Sequence, residues 1–445
     1  MLEAIIAGLL VVLALVLPIK WAFSLTLATS FSLFYYLISD IATAMFVILA
    51  IRVSAKYGLK EAFKNKLFKG HVLLFFFGAF SILWASSVAA SLSILIAQVK
   101  VLIIAVVSLQ IIQNRTDFKY VIFGMVGGLF YILVALTGWK FGMFGVSTSL
   151  YMNNISTYGR LLVQYFFPDR YVPINSNTWS ALAALSVGII SIYLVYFRKT
   201  SALRVRLIVI GLVLVVTIVT LDLASRAGFI GLFAAILMVF FYMPPRKFYR
   251  YLIIVSVFLL TGSITVSLIA KLLPDSLEII QSRLAQSEQE DPRLDIWETG
   301  LNMAINNPVI GVGIGNSSVE FKNYLTVKFS SDRLALHNSF LTHFAELGAV
   351  GLILFIRLIY LWQKPIINSK FGNALFVIVS FCILLNAFTH SFELENYFIA
   401  IIYVSHKFFL LEQRMNYPIN SLKVKSCARV PRYDLEPRRS LGFGR

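Results

Sequence analysis

Charge is scarce in this chain. Of its 445 residues, 13% are charged and 59% are hydrophobic. Soluble domains carry about a quarter charged residues, so the chain as a whole is not a soluble protein. Acid is scarcer still, with 21 Asp and Glu against 39 Lys and Arg. Cysteine occurs twice, Cys382 in an apolar run and Cys427 in a basic tail. That placement puts the two in different compartments and excludes a disulfide framework. No Cys or His cluster has zinc spacing. The first residues, MLEAIIAGLLVVLALVLPIKW, lack the basic start and the small-residue cleavage site of a signal peptide, and read as a retained first helix.

Long apolar runs are what the chain has. A helix needs about 20 apolar residues to cross a bilayer, and such runs recur with no polar remainder large enough for a soluble domain. They are continuous, unlike the short alternating segments of a β-barrel. The fold class is therefore an all-α polytopic membrane protein, one transmembrane domain over 1–411 followed by a basic, disordered cytoplasmic tail, 412–445. Spans are expected near 2–17, 33–54, 71–88, 91–112, 119–138, 176–197, 206–223, 227–243, 249–270, 338–361, 372–391 and 396–411. That makes about twelve transmembrane helices with both ends cytoplasmic. The weak point is 19–32, a further span or a short re-entrant piece; a thirteenth span there puts the N-terminus outside.

The net charge of +18 does not call for a nucleic acid. Basic residues collect in KYGLKEAFKNKLFK (56–69), RKTSALRVR (198–206), PPRKFYR (244–250) and the tail, and the positive-inside rule places these in the cytoplasm. The acidic-leaning segment 271–336 then faces the other side, as does 139–175. Within the long loop 271–336, PRLDIWETGLNMAINNP repeats Leu294, Trp297, Leu301 and Ala304/Ile305 at helical spacing, which predicts an amphipathic helix ended by Pro308.

The candidate residues lie on that outer face. HNSFLTHFAELGAVG (337–351) opens a span with two polar residues. On a helix, His337, Leu341, Phe344, Gly348 and Gly351 share one face, and the glycines admit a close neighbouring helix. His337-Asn338 either aims a histidine into a cavity or only caps the helix. His343 and Glu346, three apart, read best as a structural pair. Arg226, in LDLASRAGFIGLF, stands at the outer face against the positive-inside trend; it either grips an anion or pairs with Asp222. Arg293 and Trp297 open the amphipathic helix. Arg283 competes with Arg293 for the same cavity. Asn177 starts a span and is a cap or a sugar contact. GVGIGN (311–316) has no Walker lysine and is not a nucleotide loop.

Together these residues resemble a known family. His337-Asn338, nine residues, then Gly348-Ala349-Val350-Gly351 is similar to the His-[Asn/Ser/Gln]-x9-Gly-x-x-Gly signature of the O-antigen ligase and Wzy-type polymerase superfamily. Ser225-Arg226-Ala227-Gly228 resembles its Ser-Arg-Gly-like helix start, with Ala for the usual Gly. Arg293-x-x-x-Trp297, then Asn307-Pro308-Val309-Ile310-Gly311-Val312-Gly313, resembles its long-loop motif. The recognisable core covers roughly 176–360.

The resemblance implies a C-type glycosyltransferase-like fold with a long periplasmic loop, in the bacterial inner membrane. It implies metal-independent transfer, without a cofactor, of a glycan from undecaprenyl diphosphate to a lipid A-core sugar. His337, Arg226 and Arg293 would be catalytic; Arg283, Asn338, Trp297 and Asn177 would bind substrate. No outer-face Asp-x-Asp pair stands ready to hold a metal beside a diphosphate. Two alternatives remain at this point: a polymerase joining repeat units, and, from another class, a glycolipid flippase, which predicts inverted repeats that the sequence does not display.

Overall fold

The computed structural model of the chain describes residues 2–30, 37–140, 292–325, 335–367 and 396–416, with single positions between 182 and 193 and residue 211. Every described element of regular structure is helical: α1 (Leu2–Val16), α2 (Ile19–Thr29), α3 (Leu37–Tyr57), α4 (Lys60–Lys64), α5 (Lys66–Phe80), α6 (Val88–Ile111), α7 (Phe118–Lys140), α8 (Pro292–Asn306), α9 (Ser317–Glu320), α10 (Ser339–Ile367) and α11 (Asn396–Asn416), with short 3-10 turns between some of them. The expected spans at 206–223, 227–243, 249–270 and 372–391 lie outside the described residues.

Among the described residues, three stretches are long and apolar enough to cross a bilayer: Lys66–Trp84 with 19 residues, Val88–Ile111 with 24 and Ser339–Ile367 with 29. Their outward faces carry bare Phe76, Ile96 and Ile353, each more than 60% exposed, as lipid-facing helices do. The chain is a membrane protein.

The stretch read as uncertain, 19–32, contains a helix of its own. Pro18 breaks the chain after α1 because it cannot supply an N–H to the preceding turn. Arg52 of α3 takes up the carbonyls freed there, donating to Ala14 O at 2.5 Å and Leu17 O at 2.8 Å. Ala14 of α1 also clusters with Ile41 and Met45 of α3. These contacts pack the C-terminal part of α1 along α3. At 11 residues, α2 rises roughly 16 Å, half a bilayer core. That is short for a full span, and residues 31–36 after it lie outside the described residues.

Close contacts tie the bundle together. Membrane helices gain little from hydrophobicity against lipid, so small residues and polar bonds carry the packing. Gly124 of α7 lies so near α2 that an added Cβ would sit 2.8 Å from Ser24 O. Ser24 Oγ donates to Tyr120 O at 2.5 Å, and Lys20 pairs with Asp117 at 2.5 Å. Gly70 of α5 makes room for Leu358 of α10. Ser186, in the helical positions near 182–193, shares a buried hydrogen bond of 2.7 Å with Tyr397 of α11. α11 continues to Asn416, into the first residues of the stretch read as tail.

Candidate active site

Helix α8 forms where the amphipathic pattern predicts it, but of the expected stripe only Trp297 and Ala304 turn toward the core. Leu294, Leu301 and Ile305 are 59, 45 and 60% exposed, whereas Ile296, Met303 and Ala304 are buried. These three pack with Phe321, Leu336 and Ala345 in a cluster that Trp297 borders. The reason is steric. Gly300 lies so close to the start of α10 that a Cβ would meet Leu336 and Leu341 at 2.8 Å. The helix carries two apolar stripes, and the small residues Gly300 and Ala304 mark the one that makes contact.

Helix α10 is broken where the sequence reading kept it straight. Gly348 has φ 63° and ψ −163°, a left-handed backbone state that costs a side-chain-bearing residue free energy. The break frees backbone groups on both sides, and the loop after α8 satisfies them. Val312 N donates to Ala345 O at 3.0 Å and Gly313 N to Glu346 O at 2.8 Å; Ala349 N donates to Pro308 O at 2.8 Å. The approach is backbone to backbone. A Cβ on Gly348 would lie 2.2 Å from the Val309 carbonyl carbon, and one on Gly311 2.3 Å from that of Glu346. The neighbour that the glycines admit is therefore this loop, not a second helix.

Glu346 and His343 lie close enough for their charges to interact, as their spacing predicts, but each makes its hydrogen bonds elsewhere. The Glu346 carboxylate accepts from Gly315 N at 2.8 Å and from Ser317 Oγ at 2.6 Å. His343 Nδ1 donates to Ser339 O at 2.8 Å, and its ring stacks on Phe355 with centroids 4.1 Å apart. Each found a nearer partner from a segment distant in sequence or from its own helix. The loop continues into Asn316, fully buried. Asn316 Oδ1 accepts from Ser87 N at 2.7 Å and Nδ2 donates to Ser91 Oγ at 2.9 Å. The GVGIGN stretch is thus a clasp joining the α5–α6 turn to α10.

That clasp positions the candidate chemistry. Asn338 is the cap of α10: its Oδ1 accepts from Phe340 N at 3.1 Å and Leu341 N at 3.2 Å, which satisfies two otherwise orphaned donors. His337 precedes the cap and is not helical. It has φ 50°, a left-handed conformation uncommon outside glycine, and it is half-buried. The expected single face from His337 to Gly351 does not exist, because the residue lies before the helix and the glycines lie at and beyond its break. Burial lowers the His337 pKa below the ordinary 6.5, and the positive charge of Arg293 lowers it further. Arg293, in the first turn of α8, is therefore near enough to act on the imidazole. Trp297, one turn on, has a buried indole N–H without an acceptor among the described residues. Arg226, Arg283 and Asn177 lie outside the described residues.

Comparison with known proteins agrees with these motifs. The O-antigen ligase (Wzy_C) family model matches residues 218–356, the stretch that holds Arg226, Arg293, His337 and the glycines. Three proteins provisionally named polysaccharide ligases are similar to the chain. One from Rickettsia conorii is 28% identical over 284 residues, 62% of this chain and 61% of that one. One from Rickettsia typhi is 30% identical over 156 residues, 34% of this chain and 38% of that one. One from Rickettsia felis is 32% identical over 126 residues, 27% of this chain and 31% of that one. The match spans less than two thirds of the length of each of these relatives. With its motifs in order and its helices apolar enough for a bilayer, the chain is a membrane protein whose residues 218–356 match the O-antigen ligase family model.

Proposed function

We propose that the chain is an O-antigen ligase-like glycosyltransferase. It transfers a glycan from undecaprenyl diphosphate to an acceptor sugar, lipid A-core, at the periplasmic face of the bacterial inner membrane. The reading includes one multi-pass domain over 1–411 on a C-type glycosyltransferase-like fold, with the tail in the cytoplasm. The observation that carries it is the match of residues 218–356 to the O-antigen ligase family model, supported by the placement of Arg293 near enough to half-buried His337 to lower its pKa.

A neutral imidazole suits a general base better than an anion clamp. His337 would take the proton of the acceptor hydroxyl as that oxygen bonds to the anomeric carbon. The bond from that carbon to the diphosphate breaks, and the electron pair leaves with the diphosphate. Negative charge develops there, and Arg293 with Arg226 would stabilise it from preorganised positions. Trp297, Arg283, Asn338 and Asn177 would help hold the glycan. None of these steps calls for a metal.

The test is glycan transfer in reconstituted membranes. An undecaprenyl-diphosphate repeat unit is offered with lipid A-core or with more repeat unit, to wild type, His337→Ala, Arg226→Ala and Arg293→Ala. Label on lipid A-core establishes the ligase. A ladder on undecaprenyl diphosphate establishes the Wzy-type polymerase instead. Full activity in all the variants removes the site assignment. Movement of the lipid across the bilayer without transfer replaces the enzyme by a flippase.

A further inference from the structure

A cavity of about 460 Å³ lies between the C-terminal end of α8 and the α5–α6 turn. That volume falls in the range of small-ligand sites, roughly 300–1,000 Å³. Trp84, Ser86, Asn307, Glu320 and Tyr324 line it, with the backbone of Pro308–Val312 along one wall. Arg293 and Asn307 stand at opposite ends of α8, so the cavity is roughly 20 Å from Arg293 along the helix. The chemistry proposed for His337 and Arg293 makes no use of it.

Its polar groups can be counted. Asn307 Nδ2 is spent on Met303 O at 3.1 Å and on the Tyr324 hydroxyl at 2.8 Å. This leaves Asn307 Oδ1 as an acceptor and the Tyr324 O–H as a donor. Glu320 accepts from Asn323 Nδ2 through one oxygen at 2.5 Å, so the other is open. Ser86 Oγ donates to Asn316 Oδ1 at 3.0 Å and keeps its lone pairs. The lining side chains therefore offer several acceptors, a carboxylate among them, and two donors, the Tyr324 O–H and a buried Trp84 indole N–H without an acceptor among the described residues. No lysine or arginine occurs among its described lining residues. That described lining disfavours a phosphate or an acidic ligand and suits one rich in O–H donors. The rings of Trp84 and Tyr324 supply apolar faces for C–H surfaces beside those hydroxyls.

We infer that this cavity is a carbohydrate-binding subsite for an uncharged, hydroxyl-rich saccharide, electrostatically opposite to the arginine-bearing site at the other end of α8. The inference rests on the transferase reading for its role: the subsite holds a sugar of the donor glycan or of the acceptor at a distance from the reacting bond. Binding at such remote positions lowers KM or orients the substrate without touching the chemistry.

The experiment uses the full chain in nanodiscs with two probes released from the host envelope, lipid-free repeat-unit oligosaccharide and lipid-free core oligosaccharide. Saturation-transfer NMR reads binding of each to wild type, Glu320→Ala and Tyr324→Phe. The expected result is that one probe binds and that each substitution weakens it at least tenfold, with pyrophosphate failing to compete. Which probe binds identifies the donor or the acceptor as its source. In the transfer assay the same variants raise KM for that substrate about tenfold and leave kcat near wild type. If neither probe binds, or if both variants bind and transfer as wild type does, the subsite falls and the transferase stands. If wild type transfers nothing, the transferase reading falls, while the NMR still decides whether the cavity takes a sugar.

Discussion

The Glu346 carboxylate, inside the first part of α10, accepts a hydrogen bond from the backbone N–H of Gly315 at 2.8 Å. An acid three residues from a histidine looked like half of an ion pair. It is the point at which the loop after α8 is fixed to the helix that follows His337.

Substitution Glu346→Ala should therefore destabilise the protein. Glu346 is 8% exposed, and its loss orphans the buried donors of Gly315 and Ser317. Each unpaired buried donor costs about 1–3 kcal/mol, so a drop of several degrees in Tm is expected. Thermal unfolding in detergent reads it, with Glu346→Gln recovering part of the loss. An unchanged Tm for Glu346→Ala would remove the carboxylate from the clasp.

The break in α10 can be tested through its glycines. Gly348→Ala and Gly311→Ala each push a methyl to within 2.4 Å of backbone atoms and place Ala at positive φ. Both should lose activity together with solubilised yield. Gly8→Ala is the control, since a Cβ there meets nothing within 4 Å and alanine gains up to about 1 kcal/mol of helix propensity over glycine. Equal behaviour of all three variants would contradict the close approach.

The lowered pKa of His337 fixes the direction of a pH effect. As pH falls, the unfolded chain takes the proton near 6.5 and the folded chain only below that value. The stability held by neutral His337 is therefore present above 6.5 and lost as pH falls below it. The acid limb of kcat/KM should likewise lie below 6.5. Arg293→Gln should move the limb upward, though not fully, because burial is the larger cause. A pH profile of residual transfer checks this; a limb that moves down in the variant would reverse the assigned electrostatics.

The basic turn at 56–69 sets an expected topology for the N-terminal helices. With that turn in the cytoplasm and the even span count read from the sequence, the start of α1 is cytoplasmic as well. A protease site placed before α1 and one inserted beside Gly58 should both be protected in spheroplasts. Cutting at the first site alone would establish the thirteen-span alternative. Arg52→Ala, which frees the Ala14 and Leu17 carbonyls, should weaken the N-terminal helices by about 1.5–3 kcal/mol for each charge-assisted bond lost.

What could be read in the sequence was local or repetitive. Apolar run length gave α5, α6 and α10, and a 3.6-residue period with Pro308 behind it gave α8. The motif spacing led to the family. What escaped depended on distant partners. Periodicity cannot tell which of two apolar stripes on α8 meets a core; only the contact at Gly300 does. Spacing placed His343 beside Glu346, but the partners of Glu346 are Gly315 and Ser317, separated from it by the loop that precedes α10. Asn316, which joins that loop to Ser87 and Ser91, has no sequence signature beyond its place after the third glycine. Gly348 reads in the sequence as a small residue for packing, and its φ of 63° depends on a loop that local pattern does not place beside it.

The loop after α8 splints the break at Gly348 from both sides: Ala345 and Glu346 accept from it before the break, and Ala349 donates to it beyond. The kink is therefore set from outside the helix. A change in the loop would re-aim the start of α10, and His337 with it, without any change in α10 itself.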